Sequence, residues 1–297
     1  MGTPDFAVAS LDALVQANFD VVAVVTAPDK PAGRGQKLNE SAVKKYAVEK
    51  GIPVLQPEKL KNPEFIEELR SYQADLQVVV AFRMLPEIVW NMPAKGTINL
   101  HGSLLPQYRG AAPINHAIIN GEKESGVTTF FLKQEIDTRD IILSDSVPIA
   151  DDETAGELHD KLMVVGANLL VKTLLAIEAN NIIEQPQPQN DDLKHAPKIF
   201  KEDCKIDWNN QAQTIHNLIR GLSPYPTAFT LLNEKNLKIF KAEIEDKAPG
   251  IVAGGFLTDG KTYLKFAAKD GFIKLLDIQY EGKKRMLIED FLRGMRL

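Results

Sequence analysis

Residues 76–82, Leu-Gln-Val-Val-Val-Ala-Phe, form a short run that is almost entirely apolar and rich in β-branched side chains. A second run of this kind, Val-Val-Ala-Val-Val-Thr, occupies residues 21–26. Strands covered on both faces have this composition, whereas strands with one face in water alternate apolar and polar residues. The two runs therefore predict parallel strands in the interior of an α/β sheet.

Helix signals precede and separate these runs. Thr3 is expected to cap a first helix with Pro4 at its first position, and Asn62-Pro63 is expected to open another. A helix between them is predicted from about Ser41 to Gly51. Further strands are predicted at 97–101, 127–132 and 142–149, and a long helix at 154–179. This alternation predicts a doubly wound, Rossmann-like α/β domain with a mostly parallel sheet over residues 1–180.

The start of the chain does not fit this pattern fully. A helix capped by Thr3 should follow an apolar strand, yet only two residues precede Thr3. We expect either that a first strand lies ahead of this numbering or that the sheet lacks a strand it would otherwise contain.

The pattern changes after the long helix. Residues 181–203, with Gln185-Pro-Gln-Pro-Gln189, have no apolar period and are interpreted as a linker. Residues 204–297 are predicted to form a second domain with one helix at 211–220, ended by Gly221. Its predicted strands are 227–232, 237–242, 250–256, 263–266 and 272–278. Five short strands in a small domain are typical of an OB-like β-barrel.

Composition narrows the class of protein. The chain is 44% hydrophobic and 25% charged, as in ordinary globular proteins, and lacks the long apolar run of a membrane helix. With Cys204 as its only cysteine and no secretory pattern at its start, we expect a cytoplasmic protein. Residues 205–297 carry 15 Lys and Arg against 11 Asp and Glu, although the whole chain has a net charge of −5. This excess weakly favours a polyanionic partner.

The stretch richest in chemistry is residues 97–113, TINLHGSLLPQYRGAAP. In a strand at 97–101, Asn99 and His101 share one face. Ligands of open α/β sheets bind at the carboxyl ends of the strands, so this pair is a candidate site, although a buried pair that only stabilises the fold is equally compatible. Two later acids, Asp137 and Asp140, could orient His101, or could simply form turns. No metal-binding, nucleophile-elbow, Walker or dinucleotide motif is present.

These residues resemble the signature of the formyltetrahydrofolate-dependent formyltransferases, Asn-x-His-x-Ser-Leu-Leu-Pro-x-x-Arg-Gly. The matching positions are Asn99, His101, Ser103, Leu104, Leu105, Pro106, Arg109 and Gly110. The family's aspartate falls on Asp137. The resemblance implies that Asn99, His101 and Asp137 are catalytic. It also implies that 10-formyltetrahydrofolate binds along Ser103–Pro106 and the segment containing Phe82, Arg83 and Leu85. Because the sequence has no metal-binding motif, we expect no catalytic metal.

Features outside the shared core resemble the branch of this family that acts on methionyl-tRNA. Gly2-Thr3-Pro4-Asp5-Phe6-Ala7 matches its opening motif, and residues 28–38, PDKPAGRGQKL, match its basic loop. The resemblance implies formyl transfer to the α-amino group of initiator methionyl-tRNA for translation initiation. It also implies tRNA contacts from Lys30, Arg34 and Lys37. We expect a monomer that does not bind membranes.

Two departures and three rival interpretations remain at this stage. Arg139 stands where the family has glycine, and the apparent lack of a first strand is the second departure. The rivals are another formyl-folate enzyme, a tRNA-binding protein with an inactive catalytic fold, and a nicotinamide dehydrogenase. The second domain and the basic loop argue against another formyl-folate enzyme. Intact Asn99, His101 and Asp137 argue against an inactive tRNA-binding protein. The lack of a dinucleotide motif argues against a dehydrogenase.

Overall fold

A computed structural model of the chain describes residues 1–32, 37–133, 140–187 and 192–294. In chain order its strands are β1 Val24–Val25, β2 Lys30–Ala32, β3 Lys37–Asn39, β4 Val54–Leu55, β5 Gln77–Val80, β6 Thr97–His101, β7 Arg109–Gly110, β8 Glu124–Phe131, β9 Ile141–Pro148, β10 His195–Ala196, β11 Ala228–Leu232, β12 Lys235–Glu245, β13 Phe256–Thr258, β14 Leu264–Ala267, β15 Phe272–Tyr280 and β16 Met286–Leu287. The helices are α1 Asp5–Gln16, α2 Ala42–Glu49, α3 Pro63–Ser71, α4 Glu87–Trp90, α5 Pro113–Ile119, α6 Ala155–Glu178, α7 Ala212–Gly221 and α8 Ile288–Arg293, with a short 3-10 helix at Glu202–Cys204.

The residues divide into two compact units. The first consists of Met1–Gln107, Gly126–Val147 and Asp160–Leu193, and the second of Tyr108–Ser125, Pro148–His159 and Lys194–Leu297. The sequence predicts a first domain that ends at residue 180 and a linker that ends at residue 203. These boundaries stay a prediction, because the compact units are defined by packing and not by function.

The first unit contains the α/β sheet predicted from the sequence. Strands β5, β6, β8 and β9 lie side by side in that order, with β5 and β6 parallel and β6 and β8 antiparallel. A second parallel pair joins β1 to β4. Apolar side chains from these strands and from α3 form one core, which includes Val25, Leu55, Phe65 and Val79. The predicted α/β fold class is confirmed.

The first two residues extend this sheet. The Met1 amino group donates to the carbonyl of Val78 at 2.6 Å, and the Gly2 amide donates to the carbonyl of Val25 at 3.1 Å. Gly2 also forms a parallel bridge with Val80. Met1 and Gly2 thus occupy the position in the sheet at which the sequence predicts a first strand. A cavity of about 430 Å³ lies beside them, lined by residues from 19–25 and 72–78 among others.

Two sequence predictions near this end are wrong in detail. Helix α1 is capped by Pro4 rather than Thr3, because the Pro4 carbonyl accepts the amides of Ala7 and Val8 and so closes the first turn one residue later. The Asp5 carboxylate in that turn compensates the helix dipole. The strand predicted at 21–26 is confined to β1, because only Val24 and Val25 find partners, in the equally short β4.

The other helices of the first unit follow their sequence signals. Ser41 caps α2 by accepting the amide of Lys44 at 3.1 Å, and Asn62 caps α3 by accepting the amide of Glu64 at 2.9 Å. No helix in the described ranges is both long and apolar enough to cross a membrane.

The second unit is built on a curled antiparallel sheet, as predicted. Its strands follow the order β11-β12-β15-β14-β13, with β16 paired to β15. Register shifts between Ile239 and Ala242 bend β12. Its core includes Trp208, which stacks on Phe266 with ring centroids 4.7 Å apart, and residues of α7.

The strand predicted at 250–256 is misplaced, because it begins only at Phe256. Gly250 and Gly254 have φ values of +65° and +81°, a left-handed backbone that interrupts extended structure.

Part of the predicted linker is ordered by pairing. Strand β10 lies parallel to β7, and the amide of Ala111 donates to the carbonyl of Ala196 at 2.7 Å. A β-carbon on Gly110 would collide with that same carbonyl oxygen, so this position requires glycine. The pairing joins two segments more than eighty residues apart.

Candidate active site

Strand β6 carries the polar pair singled out from the sequence. Ile98 and Leu100 are 0% and 4% exposed, whereas Asn99 and His101 are only half-buried. The side chains alternate as a strand requires, so the two polar residues share the face opposite Ile98 and Leu100. A polar pair on one face at the carboxyl end of a strand can meet a ligand at the edge of the sheet.

The register of β5 and β6 brings two predicted cofactor-binding segments to this edge. Val79 lies opposite Asn99, and Val80 lies opposite Leu100. Because the strands are parallel, residues 81–85 after β5 and residues 102–106 after β6 leave the sheet at the same side. The structure thus brings both segments next to the carboxyl end of β6.

Thr128 holds the loop that follows His101. This residue of β8 is fully buried and lies opposite His101 in the ladder. Its hydroxyl donates to the carbonyl of Ser103 at 2.7 Å and accepts the amide of Leu105 at 3.1 Å. One hydroxyl therefore fixes two peptide groups of the loop.

The side chains of this loop contribute mainly to its own shape. The Ser103 hydroxyl is buried and donates to the carbonyl of Gln107 at 2.7 Å, and Pro106 is buried. The Leu104 side chain packs where a β-carbon on Gly126 would stand, 2.5 Å from its Cδ2 atom. Leu105 is half-buried. Ser103 and Pro106 can therefore affect a ligand through the backbone they position.

The segment after β5 is anchored at both ends. The Arg83 guanidinium donates to the carbonyls of Pro57 and Glu58, the latter at 2.8 Å, and lies 5.6 Å from the Phe82 ring centroid. Leu85 is buried in the core of the first unit. Arg83 and Leu85 thus hold the segment, and the half-buried Phe82 ring packs in part against the core of the first unit.

Of the two candidate acids, the structure describes only Asp140. Asp137 lies outside the described residues, as does Arg139, so their roles stay predictions. Asp140 pairs with Lys133 at 2.8 Å, and this hydrogen bond lowers the pKa of the Asp140 carboxyl. Lys133 also pairs with Glu184 at 2.5 Å. Asp140 is thus committed to an ion-pair cluster with Lys133 and Glu184.

The predicted basic loop contains a β-hairpin, which we call the basic hairpin and define as β2 and β3. These strands are antiparallel, with Lys30 opposite Asn39. Lys30 is exposed. Lys37 lies in β3, and Arg34 is outside the described residues. Residue patterns alone suggested a flexible surface loop, but pairing between β2 and β3 gives it a defined frame.

Thr128 is a residue of the candidate site that the sequence analysis did not identify. The signal was available: Thr128 and Thr129 interrupt a run that is otherwise apolar from Val127 to Phe131. Buried hydroxyls in such a run need partners, and one partner was the loop after His101. No group of His, Cys, Asp and Glu within the described part of the chain could hold a metal ion. The absence of a metal in the reaction stays a prediction.

Comparison with known proteins gives the family. A family model described as formyl transferase matches residues 1–174, and one described as formyl transferase, C-terminal domain, matches residues 198–296. The methionyl-tRNA formyltransferase of Phocaeicola vulgatus is 56% identical over 306 residues, covering 100% of this chain and 94% of that protein. The chain belongs to the methionyl-tRNA formyltransferase family. The Bacteroides fragilis member of this family is 52% identical over 305 residues, with the same two coverages.

A solved structure supports the fold of this family member. The sugar 3N-formyl transferase WlaRD, crystallised with dTDP and 5-N-formyl-THF, has a TM-score of 0.68 and 23% identity, covering 95% of this chain and 97% of its own. At this identity the likeness concerns the fold, which is that of a formyltransferase. The family membership identifies the chain as a formyltransferase enzyme.

We expect Thr128→Val to lower both stability and formyl transfer. The substitution keeps the shape of the side chain but removes the hydroxyl that binds Ser103 and Leu105, at a cost of about 1–3 kcal/mol. Thermal unfolding measures the first effect, and transfer rates of the folded variant measure the second.

Thr129→Val is the matched control for this prediction. The neighbouring Thr129 hydroxyl is equally buried but bonds to Thr173 at 2.9 Å, away from the loop. This control should lose stability while its folded form keeps its transfer rate. Unchanged transfer by Thr128→Val would contradict a role for the loop.

Proposed function

We propose that this protein transfers the formyl group of 10-formyltetrahydrofolate to the α-amino group of initiator methionyl-tRNA, for translation initiation. The observation that carries the proposal is the shared face of Asn99 and His101 at the edge where the 81–85 and 102–106 segments leave the sheet. The names of relatives more than 50% identical over the whole chain support the acceptor.

The first catalytic requirement is to stabilise negative charge on the formyl oxygen. Attack by the amine converts the formyl carbon into a tetrahedral centre whose oxygen becomes an oxyanion. We assign the Asn99 side-chain amide as a donor to this oxygen. A fixed donor at the end of a strand needs no reorganisation as charge develops, so it favours the transition state over the ground state.

Proton transfer is the second requirement. A free α-amino group has a pKa of about 7.7–8.0, so a useful fraction is already neutral and nucleophilic near neutral pH. We assign His101 as the second donor to the oxyanion, oriented by Asp137. Asp137, acting through a water, takes the proton that the amine loses. The bond between the formyl carbon and the folate nitrogen then breaks, and the same proton passes to that nitrogen as the folate leaves.

The folate is proposed to lie between the two anchored segments. Both lie at one edge of the sheet, which provides backbone donors and acceptors from 82–85 and from Ser103–Pro106. Leu104, Leu105 and the Phe82 ring add apolar surface. A flat heterocycle with polar edges fits such a combination of backbone groups and apolar side chains. The bound 5-N-formyl-THF of the related sugar formyl transferase supports a folate donor in this fold.

The basic hairpin is proposed to contact the acceptor end of the tRNA. Lys30, Arg34 and Lys37 supply positive charge, and phosphate contacts position a nucleic acid without reading its sequence. We propose further that residues 1–180 form the catalytic domain, 181–203 the linker and 204–297 the tRNA-binding domain. The family models, which end at 174 and resume at 198, support this division. We also propose that the protein is a cytoplasmic monomer and that its reaction needs no metal.

The first experiment is a transfer assay with 10-formyltetrahydrofolate as donor. Charged initiator methionyl-tRNA is the acceptor, and free methionine and the donor alone are controls. Transfer to the charged tRNA but not to free methionine is the expected result, and it would also show that Arg139 is tolerated. Hydrolysis of the donor without transfer would instead favour the rival formyl-folate enzyme.

We expect Asn99→Ala to lower kcat by about a hundredfold or more, since a well-placed oxyanion donor contributes about 3–4 kcal/mol. Steady-state transfer assays measure the loss, and thermal unfolding checks that the variant is folded. Asn91→Ala, at an exposed position that ends α4, is the control and should keep its activity. A loss of only severalfold would rule out this role for Asn99.

We expect Lys30→Ala to raise the KM for methionyl-tRNA without changing the KM for the folate. Each lost phosphate contact should reduce the slope of log affinity against log salt by about 1. Assays at several salt concentrations measure both effects. Lys172→Ala, which removes an exposed charge from α6, serves as the control. A KM for tRNA that does not depend on salt would count against the basic hairpin as a tRNA contact.

A further inference from the structure

The basic hairpin leaves and re-enters the body of the first unit at one point. Asp29 immediately precedes β2, and Glu40 immediately follows β3. The Lys44 ammonium, on the first turns of α2, contacts both carboxylates and lies 2.8 Å from that of Glu40. One cation therefore joins the chain entering the hairpin to the chain leaving it.

Two further contacts brace the same point. The Gln56 side chain, after β4, donates to the Asp29 carboxylate and to the carbonyl of Ala27, each at 2.8 Å. The hydroxyls of Thr26 and Ser41 lie 2.7 Å apart, which links the two chain segments a second time. We call the Asp29, Glu40, Lys44 and Gln56 contacts the hairpin clasp.

The position of Lys44 is itself fixed by the fold. Its amide binds the capping hydroxyl of Ser41, and its side chain is only 18% exposed. The hydrogen bond from Lys44 lowers the pKa of Asp29, and the same bond raises the pKa of Lys44. Both groups therefore stay charged across the neutral range.

The clasp lies at the edge of the sheet that carries the candidate site. Val25 and Val80, the last residues of β1 and β5, both contact Gly2. The segment that leads from Val25 to Asp29 therefore leaves the sheet beside the segment that leads from Val80 to Phe82. The contacts of the clasp fix the base of the hairpin, and they therefore also fix the direction of the hairpin relative to the 82–85 segment.

We propose that Lys44 is a positioning residue, which through Asp29, Glu40 and Gln56 holds the basic hairpin at the angle needed to present methionyl-tRNA to the site. This inference rests on the proposed tRNA contact of the hairpin. A two-stranded hairpin is marginally stable alone, so its direction depends on what ties down its base. A single exposed ion pair contributes little, but here four side chains share one half-buried junction.

The test measures KM for methionyl-tRNA and for 10-formyltetrahydrofolate in clasp variants of the full chain. Lys44→Met should raise the KM for tRNA by about tenfold, equivalent to about 1.4 kcal/mol, and leave the KM for folate unchanged. Lys44→Arg should restore most of the tRNA affinity. Lys45→Met removes the neighbouring exposed charge from the same helix and should behave as the parent.

A second variant guards against a folding defect. Glu40→Gln removes only the negative charge from the contact to the departing chain, at a carboxylate that is 42% exposed, and should raise the KM for tRNA by a smaller factor. Thermal unfolding of each variant separates lost stability from altered kinetics. Equal rises in the two KM values for Lys44→Met would overturn the proposal.

A double-mutant comparison separates this proposal from the one on which it rests. Lys44→Met is also placed in a chain whose Lys30, Arg34 and Lys37 are replaced by alanine. If Lys44 acts through the hairpin, its effect on the KM for tRNA should largely disappear in that background. An undiminished effect would overturn the positioning role. If the triple replacement itself leaves the KM for tRNA unchanged, the tRNA contact of the hairpin fails, and the positioning role fails with it.

Discussion

The parallel pairing of β5 with β6 is the constraint on which the candidate site depends. Its register sets Val79 against Asn99 and Val80 against Leu100, so β6 extends only one residue, His101, beyond the end of β5. A slip of one residue would turn Asn99 and His101 into the apolar face and would bring Ile98 and Leu100 to the ligand side. The burial of Ile98 and Leu100 therefore stabilises the sheet and selects the register that exposes the polar pair.

Each loop at this edge is held by a polar side chain within the first unit. Thr128 holds the loop after β6, Arg83 ties the segment after β5 to residues 57 and 58, and Lys44 joins the two ends of the basic hairpin. Binding loops on a rigid scaffold are common in α/β proteins. Here each loop has its own polar anchor, so each can be altered separately.

The sequence predicted what depends on short-range pattern. The alternation of Ile98, Asn99, Leu100 and His101 revealed the strand and its faces, and the caps Ser41 and Asn62 revealed two helices. Contacts between distant residues were not predictable in this way. The Thr128 bond to Ser103 spans 25 residues, and the misplaced strand at 250–256 failed because glycine backbone geometry outweighed the apolar pattern. Residue pattern left both Asp137 and Asp140 as candidate acids, and only the family resemblance selected Asp137.

The place of Gly2 in the sheet has a practical consequence for hydrogen exchange. Its amide donates to the carbonyl of Val25 at 3.1 Å, and the residue also forms a parallel bridge with Val80. This amide can exchange with solvent only when the sheet opens locally at this position. The rate at which the Gly2 amide exchanges would thus report how often this edge of the sheet opens.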